Sequence, residues 1–270
     1  MSYAAHGDRI TATVRLKGVE ASTELEWAFG AGAQGITPVG RSGEQFLEHR
    51  FSYYTAAGRL LPTFGHPARV GTAFATLGLP QSNHTITECF RCHATGVENS
   101  GHGPDLAAMQ PGVQCERCHG PGQRHIELAN AAAPITGIRR AILNPARFPV
   151  TAQVELCGQC HRLPAPGTAS PEPEVEDPVA VRFAPMGLMA SRCFLESKRL
   201  SCATCHDPHE DARPRTDASY TRRCAACHAT APKSGAACRR ASGGSCLPCH
   251  MRQASLGPNL KFTDHRIRVY

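Results

Sequence analysis

The first part of the chain alternates between apolar and polar residues. The stretch RITATVRL, residues 9–16, has this two-residue period, which is typical of a half-buried β-strand. The following KGVEAS predicts a turn, and TELEWAF, residues 23–29, predicts a strand that returns beside the first. We therefore expect residues 1–80 to form a small β-rich module.

The pattern changes after residue 80. Apolar residues now recur in short helical pieces, such as AQVELCGQCHR and DASYTRRCAACHA, which glycines and prolines separate. Residues 163–178 are rich in proline and poor in bulky apolar residues, so they predict an extended surface connection. We therefore predict a mainly α-helical, loop-rich fold, in which residues 81–270 form one domain with sub-halves 81–162 and 179–270.

One five-residue motif, C-x-x-C-H, occurs six times in this second part of the chain. It is the attachment signature of c-type haem, because two thiols on one turn reach the two porphyrin vinyl groups while the next histidine lies beneath the iron. The predicted haem-binding cysteines are Cys89, Cys92, Cys115, Cys118, Cys157, Cys160, Cys202, Cys205, Cys224, Cys227, Cys246 and Cys249. The predicted axial ligands are His93, His119, His161, His206, His228 and His250.

Zinc is the rival interpretation of paired cysteines. A zinc site does not require histidine directly after the second cysteine, and histidine is only 14 of 270 residues, so six such placements argue against zinc.

Aromatic residues make up only 6% of the chain, and 25 glycines and 21 prolines make long regular elements unfavourable. We therefore expect a hexahaem domain whose interior is filled by six covalently attached haem c groups.

The formal charge of +7 raises the question of nucleic-acid binding. The basic residues are scattered and belong to no motif that reads RNA or DNA, so we expect no nucleic-acid partner. Arginines instead offer bidentate partners for the haem propionates.

Residues 1–30 contain no apolar run long enough for a signal peptide or a membrane span.

Several phrases of the chain are familiar beyond the motifs themselves. LEWAFGAGAQ, LEHRFSYY, PTFGHP, CFRCHATG, GVQCERCHGPGQRH, CGQCHR, RLSCATCHDPH, CLPCHM and FTDHRI together resemble bacterial multihaem cytochromes c of the cytochrome c-554-like superfamily. The resemblance covers most of residues 24–268. It implies a multihaem cytochrome c fold and electron transfer through closely packed haems, mostly with two histidine ligands each. It also implies haem attachment outside the cytoplasm, so we expect a periplasmic or extracellular protein whose export signal is not in this chain.

Second axial ligands must come from the eight histidines outside the motifs. A turn of glycine, proline and glycine directs His125 away from its own motif, and Pro208 does the same for His209. His265 lies in a phrase at which the resembling family has a histidine. The predicted second ligands are His125, His209, His265, His66, His49 and His84. For each of them an ordinary surface or core histidine is the alternative, and His102 stays open.

The leading functional hypothesis is a non-enzymatic electron carrier that exchanges electrons with redox partner proteins or other cytochromes. Two alternatives stay open. One is an enzyme that acts on a small nitrogen or sulfur species at an open-coordinate haem, although no C-x-x-C-K motif is present. The other is a homo-oligomer or a subunit of an extracellular filament. The two cysteines outside the motifs, Cys193 and Cys238, are predicted to form a disulfide, and two buried thiols are the alternative.

Overall fold

The computed structural model describes residues 1–163, 178–210, 215–228 and 244–270. These residues divide into two compact units, Met1–Ile142 and Leu143–Tyr270. Cys238 and nearly all of the proline-rich connection lie outside the described residues. The predicted disulfide and the predicted extended connection therefore stay predictions.

An antiparallel sheet of eight strands dominates the first unit. Its strands are β1 (Ser2–His6), β2 (Arg9–Leu16), β3 (Val19–Phe29), β4 (Gly35–Ser42), β5 (Gln45–His49), β6 (Phe51–Tyr54), β7 (Arg59–Pro62) and β8 (Gly78–Pro80). They are ordered β1-β2-β3-β4-β5-β8, and β6 pairs with β4 and β7. The chain thus forms most of the sheet from consecutive neighbours.

Short helices and two small ribbons follow the sheet within the first unit. The helices are α1 (Ala73–Leu77), α2 (Asn83–His93), α3 (Glu116–His119), α4 (Gln123–Asn130) and α5 (Ile135–Arg140). The two-residue strands are β9 (Ala94–Thr95), β10 (Glu98–Asn99), β11 (Pro104–Asp105) and β12 (Gln110–Pro111). β9 pairs with β12 and β10 with β11.

The hairpin predicted from the first alternating stretch is present as β2 and β3. Its turn is tighter than the sequence indicated: Lys17 and Gly18 alone make it, with φ angles of 52° and 79°. Left-handed backbone at both central residues matches the twist of the strands. Ala12 and Val14 point to the same face of β2 and pack against Ala73 and Leu77 of α1.

A second core cluster fixes α2 on the sheet. Ile86 and Phe90 of α2 are each only 1% exposed and pack with Val39 and Phe46 of the sheet. Trp27 completes the cluster, with its ring centre 5.2 Å from that of Phe90 in an edge-to-face arrangement. This packing positions the first C-x-x-C-H motif, which lies at the end of α2.

The second unit consists of short helices and one small ribbon. Its elements are a 3-10 helix (Pro145–Arg147), α6 (Val150–His161), α7 (Pro178–Val181), α8 (Ala184–Met189), α9 (Arg192–Ser197), α10 (Cys202–Cys205), α11 (Asp217–His228), α12 (Leu247–His250), β13 (Gln253–Ser255) and β14 (Lys261–Thr263). β13 pairs with β14. No helix among the described residues is both long enough and apolar enough to cross a membrane.

The prediction of a mainly α-helical fold with a small β-rich module is wrong. Among the described residues, 35% are helical and 26% lie in strands, and the N-terminal sheet has eight strands. The sequence pattern revealed β2 and β3 because they are long and alternate. β4 (GITPVGRS) contains two glycines and a proline, and β7 (RLLP) is only four residues long and ends in proline, so the local strand signal is weak in both. They become strands through pairing with neighbours, and tertiary context outweighs local propensity there.

Candidate haem-attachment sites

Each described C-x-x-C-H motif is built on a helix end. Five of the helices, α2, α3, α6, α11 and α12, end at the motif histidine. The sixth, α10, covers Cys202–Cys205, and His206 follows it directly. Residues three positions apart lie on the same side of a helix, so the two thiols of each motif face the same way. This is the arrangement that two adjacent thioether bonds require.

The exposure of the cysteines is unusual for this residue type. Free cysteine is among the most buried residues in proteins, yet each of the thirteen cysteines that the structure describes is at least partly exposed. Helices α3, α10, α11 and α12 contain no buried residue in the structure as described. Helices without a side-chain core need another apolar surface to cover them. A porphyrin bound to the cysteines supplies one, so the residues fit covalent haem c.

The first motif is held against the N-terminal sheet. Cys89 packs on the core cluster, and Phe90 inside the motif is one of its buried members. The His93 ring stacks on Phe29 of β3, with ring centres 5.0 Å apart and planes at 9°. The imidazole orientation is therefore set by contact with a strand as well as by its own helix.

The second motif is followed by the turn that the sequence predicted. Gly120 ends α3 with a φ of 70°, a conformation that favours glycine, and α4 begins at Gln123. His125 lies on α4, and its Nδ1 donates to the Ile138 carbonyl at 2.9 Å. That bond places the ring proton on Nδ1 and leaves the lone pair on Nε2, the tautomer of a metal ligand.

Three histidines come together in the second unit. The ring centres of His206 and His265 are 6.2 Å apart. Two imidazoles on opposite sides of one metal ion have centres about 6 Å apart, because each metal–nitrogen bond is about 2 Å. His161 is close enough to affect the protonation of both. Burial is the main cause that lowers the pKa of His206 and of His265, so both imidazoles favour the neutral form that binds iron.

Backbone carbonyls orient two of the histidines in this unit. Nδ1 of His265 donates to the Thr263 carbonyl at 2.9 Å, and Nδ1 of His250 donates to the Arg268 carbonyl at 3.1 Å. Metal-binding histidines usually make such a bond through the nitrogen that does not face the metal. The motif histidine His250 and the candidate second ligand His265 therefore both have Nδ1 hydrogen-bonded to a backbone carbonyl, which leaves Nε2 available for a metal.

Cysteines of different motifs also meet. The thiols of Cys157 and Cys202 form a hydrogen bond, which lowers the pKa of Cys157 to about 7 and raises that of Cys202. The thiols of Cys224 and Cys246 are likewise hydrogen-bonded, although burial is the largest cause that raises the pKa of Cys224 to about 11. Each contact joins the first cysteine of one motif to the first cysteine of the next. The third and fourth sites are thus neighbours, as are the fifth and sixth.

Two candidate second ligands in the first unit use Nε2 for other contacts. His49 is 1% exposed, and its Nε2 lies 2.9 Å from the Tyr3 hydroxyl. Burial lowers the pKa of His49 to about 4. Nε2 of His66 lies 3.1 Å from a carboxylate oxygen of Glu48. Iron ligation through Nε2 would have to replace both contacts.

The remaining candidates are exposed. His84 lies in the first turn of α2. His102 lies in a loop, and its backbone carbonyl accepts a hydrogen bond from the Asn83 side chain at 2.6 Å. His209 follows the Asp207–Pro208 turn, and its Nδ1 lies 3.1 Å from an Asp207 carboxylate oxygen. All three side chains are exposed to solvent in the described part of the chain.

Two features of the sites were missed in the sequence. The stacking of Phe29 on His93 joins residues 64 positions apart, and no local pattern announces it. The second feature is a group of arginines around Tyr270 at the end of the chain. The alternation of arginine with apolar residues in HRIRVY was its only sequence signal.

Residues 72–120 match the family described as Cytochrome c554 and c-prime. The matched segment contains the first two motifs and the helices α2 and α3 that carry them. No curated protein and no solved structure matches the chain. The family similarity supports a c-type cytochrome electron carrier with covalently bound haem c, and members of that family are typically periplasmic or extracellular.

Proposed function

We propose that this protein is a hexahaem c-type cytochrome that transfers electrons along a chain of closely packed, mostly bis-histidine haems. The observation that carries this proposal is the state of the six motifs. All of them present two partly exposed thiols and a histidine at a helix end, on helices with few buried side chains. A covalently bound macrocycle satisfies both the thiols and the missing core.

The residues of each motif have separate roles in this proposal. The two cysteines form thioether bonds, so the cofactor cannot dissociate, and the histidine supplies one axial nitrogen. When bound, haem supplies a one-electron couple. The protein controls that couple through the axial ligands, the burial of the site and the charges around it. The thiol contacts between motifs support short distances between successive sites of the second unit.

For the second axial ligands we propose His265 and His125, and the ligand role of the exposed His209 stays a prediction. The structure supports His265 best, because its ring lies 6.2 Å from that of His206 and its Nδ1 is held by a carbonyl. His125 has the same tautomer, imposed by Ile138. The ligand roles of His49, His66 and His84 stay predictions, since other contacts or solvent surround these rings.

We further propose a periplasmic or extracellular location with other redox proteins as partners. An electron carrier needs no open coordination position, whereas an enzyme that binds a small nitrogen or sulfur species does. No contact in the described residues favours the enzyme or the filament over the carrier. The axial ligands therefore decide between the carrier and the enzyme.

The test is made on protein matured in a host that exports it and attaches haem. Denaturing mass spectrometry should show six haem additions. The ferric protein should be low-spin throughout and should not bind carbon monoxide after reduction. His265→Ala should convert one haem to high spin while all six thioether attachments remain, because only the second axial position is lost.

His6→Ala is the matched control, since His6 is an exposed histidine on β1. It should keep the parent spectrum. Five or fewer haem additions after complete maturation would contradict the hexahaem proposal. A high-spin haem in the parent protein that binds nitrite or hydroxylamine would favour the enzyme.

A further inference from the structure

The end of the chain runs beside the sixth motif. The backbone N–H of Arg268 donates to the His250 carbonyl at 3.2 Å, and the His250 ring donates to the Arg268 carbonyl at 3.1 Å. The N–H of Tyr270 donates to the Cys249 carbonyl at 3.3 Å. These bonds fix the last residues as part of the same site.

Two guanidinium groups gather on one aromatic ring at this place. The Cζ atom of Arg268 lies 4.5 Å from the centre of the Tyr270 ring, and that of Arg252 lies 5.1 Å from it. Within the described parts of the chain, neither arginine forms an ion pair with a carboxylate. Stacking orients the two planar groups without neutralising their charge.

The carboxylate that binds the Tyr270 hydroxyl is already engaged. Asp264 accepts from the Tyr270 hydroxyl through one oxygen and from the Arg266 backbone N–H, at 2.8 Å, through the other. Nε of Arg268 is buried and has no hydrogen-bond acceptor among the residues that the structure describes. A buried donor on a charged group without an acceptor is unfavourable, so an anion bound there would stabilise the site.

We propose that Arg268, with Arg252 beside it, binds a propionate of the haem attached at Cys246 and Cys249. The proposal rests on the hexahaem function above. A haem attached at Cys246 and Cys249 would carry two carboxylates of its own, and planar guanidinium groups match carboxylates in shape and charge. The positive charge of Arg268 also favours the reduced form of that haem, and so raises its reduction potential.

Potentiometric titration of the matured protein tests the proposal. Arg268→Gln should lower the potential of one of the six reduction steps by about 59 mV. This shift is a tenfold change in the equilibrium constant of a one-electron reduction. Arg268→Lys keeps the charge but loses the planar fork, so its shift should be smaller. Arg192→Gln is the matched control, because Arg192 is 86% exposed and paired with Glu196 on α9. It should leave every step unchanged.

Two results would overturn the inference. The first is an unchanged titration of Arg268→Gln in protein that retains all six haems. The second is a saturable shift of the parent titration by added nitrate or acetate that disappears in Arg268→Gln, because the guanidinium would then be open to external anions. Mass spectrometry of the same samples separates these outcomes from failure of the hexahaem function, which would appear as missing haem at Cys246 and Cys249.

Discussion

Hydrogen bonds at single ring nitrogens divide five of the described histidines into two groups. His125, His250 and His265 donate from Nδ1 to backbone carbonyls, which leaves Nε2 with the lone pair that iron needs. His49 and His66 use Nε2 itself, towards a hydroxyl and a carboxylate. In the sequence, only the residues around each histidine indicate whether it binds iron. In the structure, the hydrogen bond at one ring nitrogen indicates whether Nε2 is available as a ligand.

The buried His49 predicts a loss of stability in acid. Its pKa is about 4, below the ordinary value of 6.5, mainly because burial disfavours the imidazolium. Between pH 6.5 and 4 the unfolded chain binds a proton that the folded chain does not, so stability falls as the pH falls through this window. The full effect is about 3 kcal/mol. Thermal midpoints followed by circular dichroism between pH 7 and 4.5 should show the decline.

His49→Gln should flatten that pH dependence, because glutamine does not titrate. His6→Gln, on the exposed strand β1, should keep the parental slope. Equal slopes for the parent and His49→Gln would show that other groups cause the acid sensitivity.

At the level of elements, close approaches of backbone position the sites. Helix α8 lies against the turn that carries His265, and Gly187 makes this approach possible. A Cβ at Gly187 would lie 2.7 Å from the Arg266 nitrogen and 2.9 Å from the His265 carbonyl carbon. Both distances are shorter than ordinary contacts, and backbone atoms cannot move aside as side-chain ends can.

Gly187→Ala should therefore displace the turn and weaken ligation by His265. We expect a high-spin signal in the ferric spectrum and a destabilisation of about 1–3 kcal/mol, as in other overpacked sites. Absorption spectra and thermal midpoints measure the two effects. Gly137→Ala in α5 is the matched control, because a Cβ there meets nothing within 4 Å. Its spectrum should equal that of the parent, and an identical spectrum for Gly187→Ala would refute the link between α8 and the ligand.

The elements also show which features the sequence could reveal. The six motifs and the β2–β3 hairpin are local patterns, and their spacing carries the chemistry or the period directly. The stacking of Phe29 on His93 and the pairing of β5 with β8 instead join residues that are far apart in the chain. Such contacts are set by folding, so no local pattern encodes them. Both hydrophobic clusters of the described residues lie in the first unit, and the haem-filled interior stays a prediction.

On the scale of the whole molecule, charge is the property that the cofactors change most. The polypeptide alone has a formal charge of +7 and an isoelectric point near 8.8. Most arginine pairs among the described residues are exposed and contribute little to stability. Arginines such as Arg268 are placed instead where a cofactor carboxylate would neutralise them.

The proposed cofactors should lower the isoelectric point of the protein. Each ferric haem adds about one negative charge, because its two propionates outweigh the single positive charge of the iron porphyrin. Six haems would bring the formal charge from +7 to about +1, and full reduction would make it negative. Isoelectric focusing in urea can compare the matured protein with chain produced without haem attachment, since thioether bonds survive urea. A double variant, Cys224→Ala with Cys227→Ala, loses one haem. Its isoelectric point should therefore fall below that of the haem-free chain by about one sixth less than the isoelectric point of the matured parent does. If the matured protein focuses at or above the haem-free chain, the cofactors do not carry the charge that the arginines are proposed to bind.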